Sequence, residues 1–275
     1  MKYTIKDFQR EFPNDDVCLD HIFAQRFGDL PDFDKYYRVK KRKCYAHSET
    51  GAQIHPLADT IFHKSSTKLT DWFLAIYLMS QAKNGVSGKE IERHLGVTYK
   101  TAWRMAKQIR QLMNQSPSML SGTVEADETY IGGKGGNNKR GRGAENKTAV
   151  VGVVERKGEV RAKAVENVKS STITPLIRQN VQIGANLMTD EWPSYNKVGK
   201  EYNHQKVLHR AKEYVRGDVH TNTIEGFWSQ LKRSIDGTYH QVSKKYLQTY
   251  VDEFAFRYNH RFSSLHLFQV MIEKI

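Results

Sequence analysis

The sequence is poor in cysteine and proline and has no long hydrophobic run. Cys18 and Cys44 are the only cysteines in 275 residues, too few for a disulfide framework and in keeping with a reducing compartment. The longest clean apolar stretch, Trp72 to Met79, falls far short of the roughly 20 residues a bilayer span needs. The opening MKYTIKDFQREF alternates charged with apolar residues, so no secretory signal is read there. Six prolines and no low-complexity tract, beside 39% hydrophobic and 11% aromatic residues, exclude a disordered chain. That composition suffices for one sizeable core and a second, smaller domain. Acid is also in deficit: 30 Asp and Glu against 43 Lys and Arg leave a formal charge of +13. Such an excess concerns partners more than fold. Nucleic acid is the expected partner, a merely basic soluble protein the bland alternative, and no membrane partner is expected.

The pattern changes character along the chain. Residues 1–68 read as short helical pieces followed by a less regular stretch with the basic run Arg38-Val39-Lys40-Lys41-Arg42-Lys43. Residues 69–116 are strongly helical. Ser87 and Glu90 make a capping box, Gly96 supplies a left-handed exit, and Thr98 caps a second helix. A short helix, a glycine turn and a longer basic helix spell a helix-turn-helix, although a plain helical hairpin would read similarly. Thr98, Tyr99, Lys100 and Arg104 are then the residues able to reach bases and phosphates. From 121 to 262 the period shifts to strands and helices mixed, which predicts an α/β domain with a mixed sheet. Residues 263–275 are read as a tail.

Three acids stand out in the second half. Glu125, Asp127 and Thr129 share one face of a predicted strand, with Val124 and Ala126 on the other. Asp190 ends the run Leu187-Met188-Thr189, where sites on open α/β sheets form. Glu225 falls on one stripe of a predicted helix with Asn222, Ser229 and Lys232. Singly, each acid is most simply a surface or capping residue. Jointly, 62 residues separate Asp127 from Asp190, 34 separate Asp190 from Glu225, and Lys232 follows at offset seven.

That arrangement is similar to the DDE transposases. The flanking words VEADETYIGGK, LMTDEWPSY, HTNTIEGFWSQLKR and DEFAFRYNHR sharpen the likeness, as do DTIFHKSSTKLTDWF and KTAWRMAKQIRQLM upstream. Over about residues 55–262 the chain resembles the insertion-sequence family numbered 1595, with its ISXO-type transposases. The resemblance implies an RNase H-like catalytic domain preceded by a mainly helical DNA-binding region. It implies two Mg²⁺ ions, or Mn²⁺, held by Asp127, Asp190 and Glu225. Water would free a 3′-OH at the transposon end, and that 3′-OH would attack target DNA. Asn222 competes with Glu225 for the third position; Lys232 at its offset favours Glu225. Lys232 and Arg233 would hold phosphates. The expected partners are double-stranded transposon ends and target DNA, with at least a homodimer to join two ends, in the bacterial cytoplasm at the nucleoid. A catalytically silent DNA-binding regulator is the alternative, and a structure-selective nuclease a third reading.

Other features are weaker. The Gly-rich stretch 134–147 sets Lys134, Lys139, Arg140, Arg142 and Lys147 against Glu145 alone, and reads equally as a DNA contact or a solvated insertion. Cys18-Leu19-Asp20-His21 and Cys44-Tyr45-Ala46-His47 make a CxxH pattern that could suggest zinc, but Cys18 lies in an apolar helical segment and reads as core. Related transposases often carry a ribbon of two CxxC pairs here; the first would fall near Leu30-Pro31-Asp32-Phe33, where no ligand remains, and the second at Cys44–His47, where two remain, so structural zinc is not expected. His204, His209, His220 and His240 are too irregularly spaced to read as a metal cluster.

Overall fold

A computed structural model describes residues 3–132, 147–211 and 213–275. The chain divides into two compact units, residues 1–112 with 263–275, and residues 113–262. Among the described residues no helix is long and apolar enough to cross a membrane.

The first unit begins with helices α1 (Ile5–Glu11) and α2 (Asp15–Phe27). Asn14 caps α2 by accepting from the Val17 backbone N–H at 3.0 Å. The less regular stretch that follows holds a small antiparallel sheet of β1 (Tyr36–Arg38), β2 (Tyr45–His47) and β3 (Gln53–Ile54), in that order. Three helices come next, α3 (Leu69–Gln81), α4 (Gly88–Leu95) and α5 (Tyr99–Ile109). Ser87 accepts from the Glu90 N–H, Gly96 exits α4 at φ +66°, and Thr98 accepts from the Thr101 N–H. Local chemistry therefore sets both helix starts and the turn between them.

Residues 263–275 are not a loose tail. They contribute a helix, numbered α10 below, whose Phe268 meets Phe8, Phe12, Phe73 and Tyr77 with ring centroids 5.6–6.5 Å apart. Residues 1–68 and 69–112 likewise fall in one unit rather than two. An aromatic core built from α1, α3 and α10 accounts for this: no one of these segments can bury its rings alone.

The second unit is a mixed five-stranded sheet. Its strands are β4 (Thr123–Gly132), β5 (Lys147–Glu155), β6 (Val160–Val165), β7 (Asn186–Thr189) and β8 (Asn203–Lys206). The order is β6-β5-β4-β7-β8; the β4–β5 and β5–β6 pairs are antiparallel, and the β4–β7 and β7–β8 pairs are parallel. Helices α6 (Ser170–Asn180) and α7 (Asn196–Gly199) cover one face; α8 (Asn222–Ser234) and α9 (Leu247–Asn259) cover the other. The alternation of β4 decides which residue goes where. Val124 and Ala126 join the core beneath α6 with Val151, Val153 and Ile177. On the opposite face, Val150 and Val154 pack with Ile224, Phe227, Trp228 and Leu231 of α8. The last helix, α10 (Leu267–Ile272), belongs to the first unit.

Candidate active site on the five-stranded sheet

The face of β4 turned to α8 carries two carboxylates. Glu125 is fully buried. It receives Arg156 Nε at 2.7 Å, the Thr223 backbone N–H and hydroxyl at 2.8 Å each, and the Ile224 N–H at 3.1 Å. His220 Nδ1 stands 3.2 Å away. A buried carboxylate is costly unless paired. Here it is paired with a guanidinium and with N–H groups that a helix start leaves unsatisfied. Glu125 thus supplies, from a strand, the cap that the Thr221 side chain does not give α8. Arg156 extends the anchor by donating to the carbonyls of Asp218 and His220, which lead into that helix.

Asp127 lies two residues along the same face. Trp228 Nε1 donates to its Oδ2 at 3.1 Å. The indole reaches that place because Gly152 stands opposite Asp127 in the β4–β5 register; a Cβ there would lie 2.6 Å from the ring. Burial pushes the Asp127 carboxyl up to about 7, helped by the neighbouring charge of Glu128 and by those of Asp190 and Glu225.

Asp190 follows β7 and is buried. The parallel β4–β7 ladder pairs Glu125 with Met188. Asp127 and Asp190 each stand two residues beyond that pair, on adjacent parallel strands. The Asp190 Oδ1 accepts from the Trp192 backbone N–H at 2.9 Å. Glu225 occupies the first turn of α8 and is half exposed. Its Oε1 accepts from the Thr221 hydroxyl at 2.8 Å and lies 4.0 Å from His209 Nε2. The charges of three elements therefore act on one another around Asp127. Among the described residues no three His, Cys, Asp or Glu side chains stand at metal-binding spacing. Glu225 turns toward Thr221 and His209. Asp127, Asp190 and Glu225 offer carboxylate oxygens alone, a chemistry that hard divalent ions accept and thiophilic ions do not.

Asn222 opens α8 and is exposed, as are Lys232 and Arg233 near its end. Lys232 borders a cleft of about 260 Å³ with Tyr130, Lys147 and His240. In the first unit, Thr98, Tyr99 and Lys100 are exposed at the start of α5. Arg104 is not displayed with them: it donates to Ser65 Oγ at 3.2 Å and lies over the Trp72 ring. Lys139, Arg140 and Arg142 lie outside the described residues. Cys18 is buried in α2, where its thiol is pushed up to about 12 by burial and by Asp15. His47 Nδ1 accepts from the backbone of Glu49 and Thr50 at 3.2 Å each. Sequence reasoning missed Arg156, His220, Trp228 and Gly152 as parts of the site, and treated Glu125 only as a neighbour of Asp127. The placement of Glu125 and Asp127 on one strand face was the single available signal.

Comparison with known proteins adds the following. Residues 119–259, just over half of the chain, match the ISXO2-like transposase domain. Over 238 residues the chain is 29% identical to an uncharacterized protein in transposable element ISH50 of Halobacterium salinarum, covering 80% of this chain and 79% of that one. It is 28% identical over 104 residues to an uncharacterized transposase-like protein of Haemophilus influenzae, covering 38% of this chain and 83% of the relative. Among solved structures, a chain of the simian T-cell lymphotropic virus intasome in complex with PP2A regulatory subunit B56 gamma aligns at TM-score 0.36 and 13% identity, covering 72% of this chain and 74% of that one. A pre-cleavage Mos1 transpososome aligns at TM-score 0.27 and 14% identity, covering 72% and 76%.

Proposed function

The chain belongs to the ISXO2-like transposase family, and from that premise we propose that it binds the terminal inverted repeats of an insertion sequence and catalyses metal-dependent DNA cleavage and strand transfer. The observation that supports this reading is that Asp127 on β4 and Asp190 just past the parallel β7 each follow the Glu125–Met188 pair by two residues, with the charges of Asp190 and Glu225 acting on Asp127. Three antiparallel strands followed by two parallel ones accord with an RNase H-like catalytic domain.

Divalent ions, when bound, would supply the charge that activates the attacking oxygen and stabilises the leaving one. Asp127, Asp190 and Glu225 would be the residues to hold them. Trp228 fixes one oxygen of Asp127 and leaves the carboxylate a defined orientation. Glu125 fixes the start of α8, and with it Glu225 one turn on. Lys232 and Arg233, exposed on the same helix, steady DNA phosphates. Thr98, Tyr99 and Lys100 at the start of α5 read the transposon ends in a helix-turn-helix. Lys139, Arg140 and Arg142 add positive charge for contact with DNA phosphates. Two ends must be joined, so the working form is at least a homodimer.

The test is incubation of the purified chain with duplexes carrying its element's ends, with Mg²⁺ or with chelator. Mg²⁺-dependent strand transfer is expected. Asp127→Asn, Asp190→Asn and Glu225→Gln should each abolish it while leaving DNA binding intact. Binding without cutting by the unaltered chain would instead make it a DNA-binding regulator. Should Asn222→Ala abolish transfer and Glu225→Ala spare it, the third position belongs to Asn222.

A further inference from the structure

The basic run noted in the sequence is built into a hairpin. Arg38 ends β1 and is neutralised at the base, 3.1 Å from Asp16 and 3.6 Å from Asp20 of α2. The Val39 N–H donates to the Cys44 carbonyl at 3.0 Å, and the Arg42 N–H to the Val39 carbonyl at 3.1 Å. Lys41 adopts a left-handed backbone at φ +61°. For a residue with a Cβ this conformation costs about 1 kcal/mol. The result is a hydrogen-bonded tip on which Lys40, Lys41, Arg42 and Lys43 are all exposed. Lys43 acts on Asp15. Lys40, Lys41 and Arg42 pair with no acid among the described residues. On the strand leading to them, an edge of the small sheet, Tyr37 is 56% exposed.

Consecutive unpaired cations held on an ordered turn repel one another, and nothing in the packing of this unit requires them. A polyanion with regularly spaced charges removes that repulsion. A two-stranded ribbon is narrow enough to enter a major groove, and an exposed tyrosine beside cations suits contact with sugar or base. We infer that the β1–β2 hairpin is a second DNA contact, distinct from α5, which grips the phosphate backbone of duplex DNA through Lys40, Lys41 and Arg42. The inference rests on the reading that this chain works on DNA.

Fluorescence anisotropy against a labelled duplex of arbitrary sequence, across a salt series, tests it with the full chain. The K40Q/K41Q/R42Q variant should lower the slope of log affinity against log salt by about 2–3, at roughly 0.9 per phosphate contact. Affinity at low salt should fall by about tenfold or more, equally for unrelated duplexes. The charge-preserving K40R/K41R/R42K variant should behave as the unaltered chain. An unchanged slope in the glutamine variant overturns the inference. So does equal loss in the charge-preserving variant, which would mean a structural role, or preference of the hairpin for single-stranded RNA. Duplex binding that depends on these cations, without any cutting in Mg²⁺, would sink the catalytic reading and leave this one standing. Normal strand transfer with an unchanged slope would do the reverse.

Discussion

Glu125 is shut off from solvent and has five polar contacts from two segments of chain. Removing its charge leaves the partly buried Arg156 beside a neutral group and two helix N–H groups with a weaker acceptor. Breaking one side of such a pair costs about 3–5 kcal/mol. Glu125→Gln should show a loss near the lower end of that range in urea unfolding, since the amide keeps one acceptor. At a temperature where both proteins are folded, it should also slow strand transfer more than it weakens DNA binding, because the start of α8 is what it holds. Equal losses in transfer and binding would remove it from the positioning of Glu225. The sequence could place Glu125 on the same strand face as Asp127. It could not reveal its partners, because Arg156 lies 31 residues away and Thr223 lies 98 away.

At the scale of elements, the site depends on how closely α8 approaches the sheet. Trp228 sits against the strand position opposite Asp127, and only a residue without a Cβ allows it. Gly152→Ala should therefore cost about 1–3 kcal/mol through overpacking. Shortening the ring in the same chain, with Gly152→Ala and Trp228→Leu together, should cost less than the sum of the single changes. Additive losses in thermal unfolding would show that the two residues do not compete for one space. Elements were legible where their signals are local: the caps at Asn14, Ser87 and Thr98, the glycine exit at Gly96, the alternation of β4. The small sheet of the first unit was not, because its strands are only two or three residues long and carry no usable period. The partial burial of Arg104 has a related origin. Its place on α5 suggests exposure, while Trp72 and Ser65, brought in from α3 and the preceding loop, turn it aside.

The chain is two units, and in sequence the second interrupts the first. Phe268 is almost fully buried among rings from α1 and α3. Phe268→Ala should cost the first unit about 3–5 kcal/mol. Calorimetry should show one transition moved down and the transition of the second unit in place. A uniform shift would mean that the two unfold as one. The charge of +13 takes on a local meaning at this scale. The hairpin tip and the start of α5 display cations, while Glu125 and Asp127 share one face of β4.

This interruption in sequence also imposes an order on synthesis. The first unit is begun by residue 112 but is not complete until α10 arrives, after the whole of 113–262 has been made. At translation rates of about 5–20 residues per second, that interval is on the order of ten seconds. During it the rings of Phe8, Phe12 and Phe73 wait for Phe268. A nascent chain therefore acquires its finished N-terminal unit only after the sheet carrying the carboxylates has been made. Completion is a property of the full-length product, and a ribosome that stalls late leaves a chain whose first half is still unsealed.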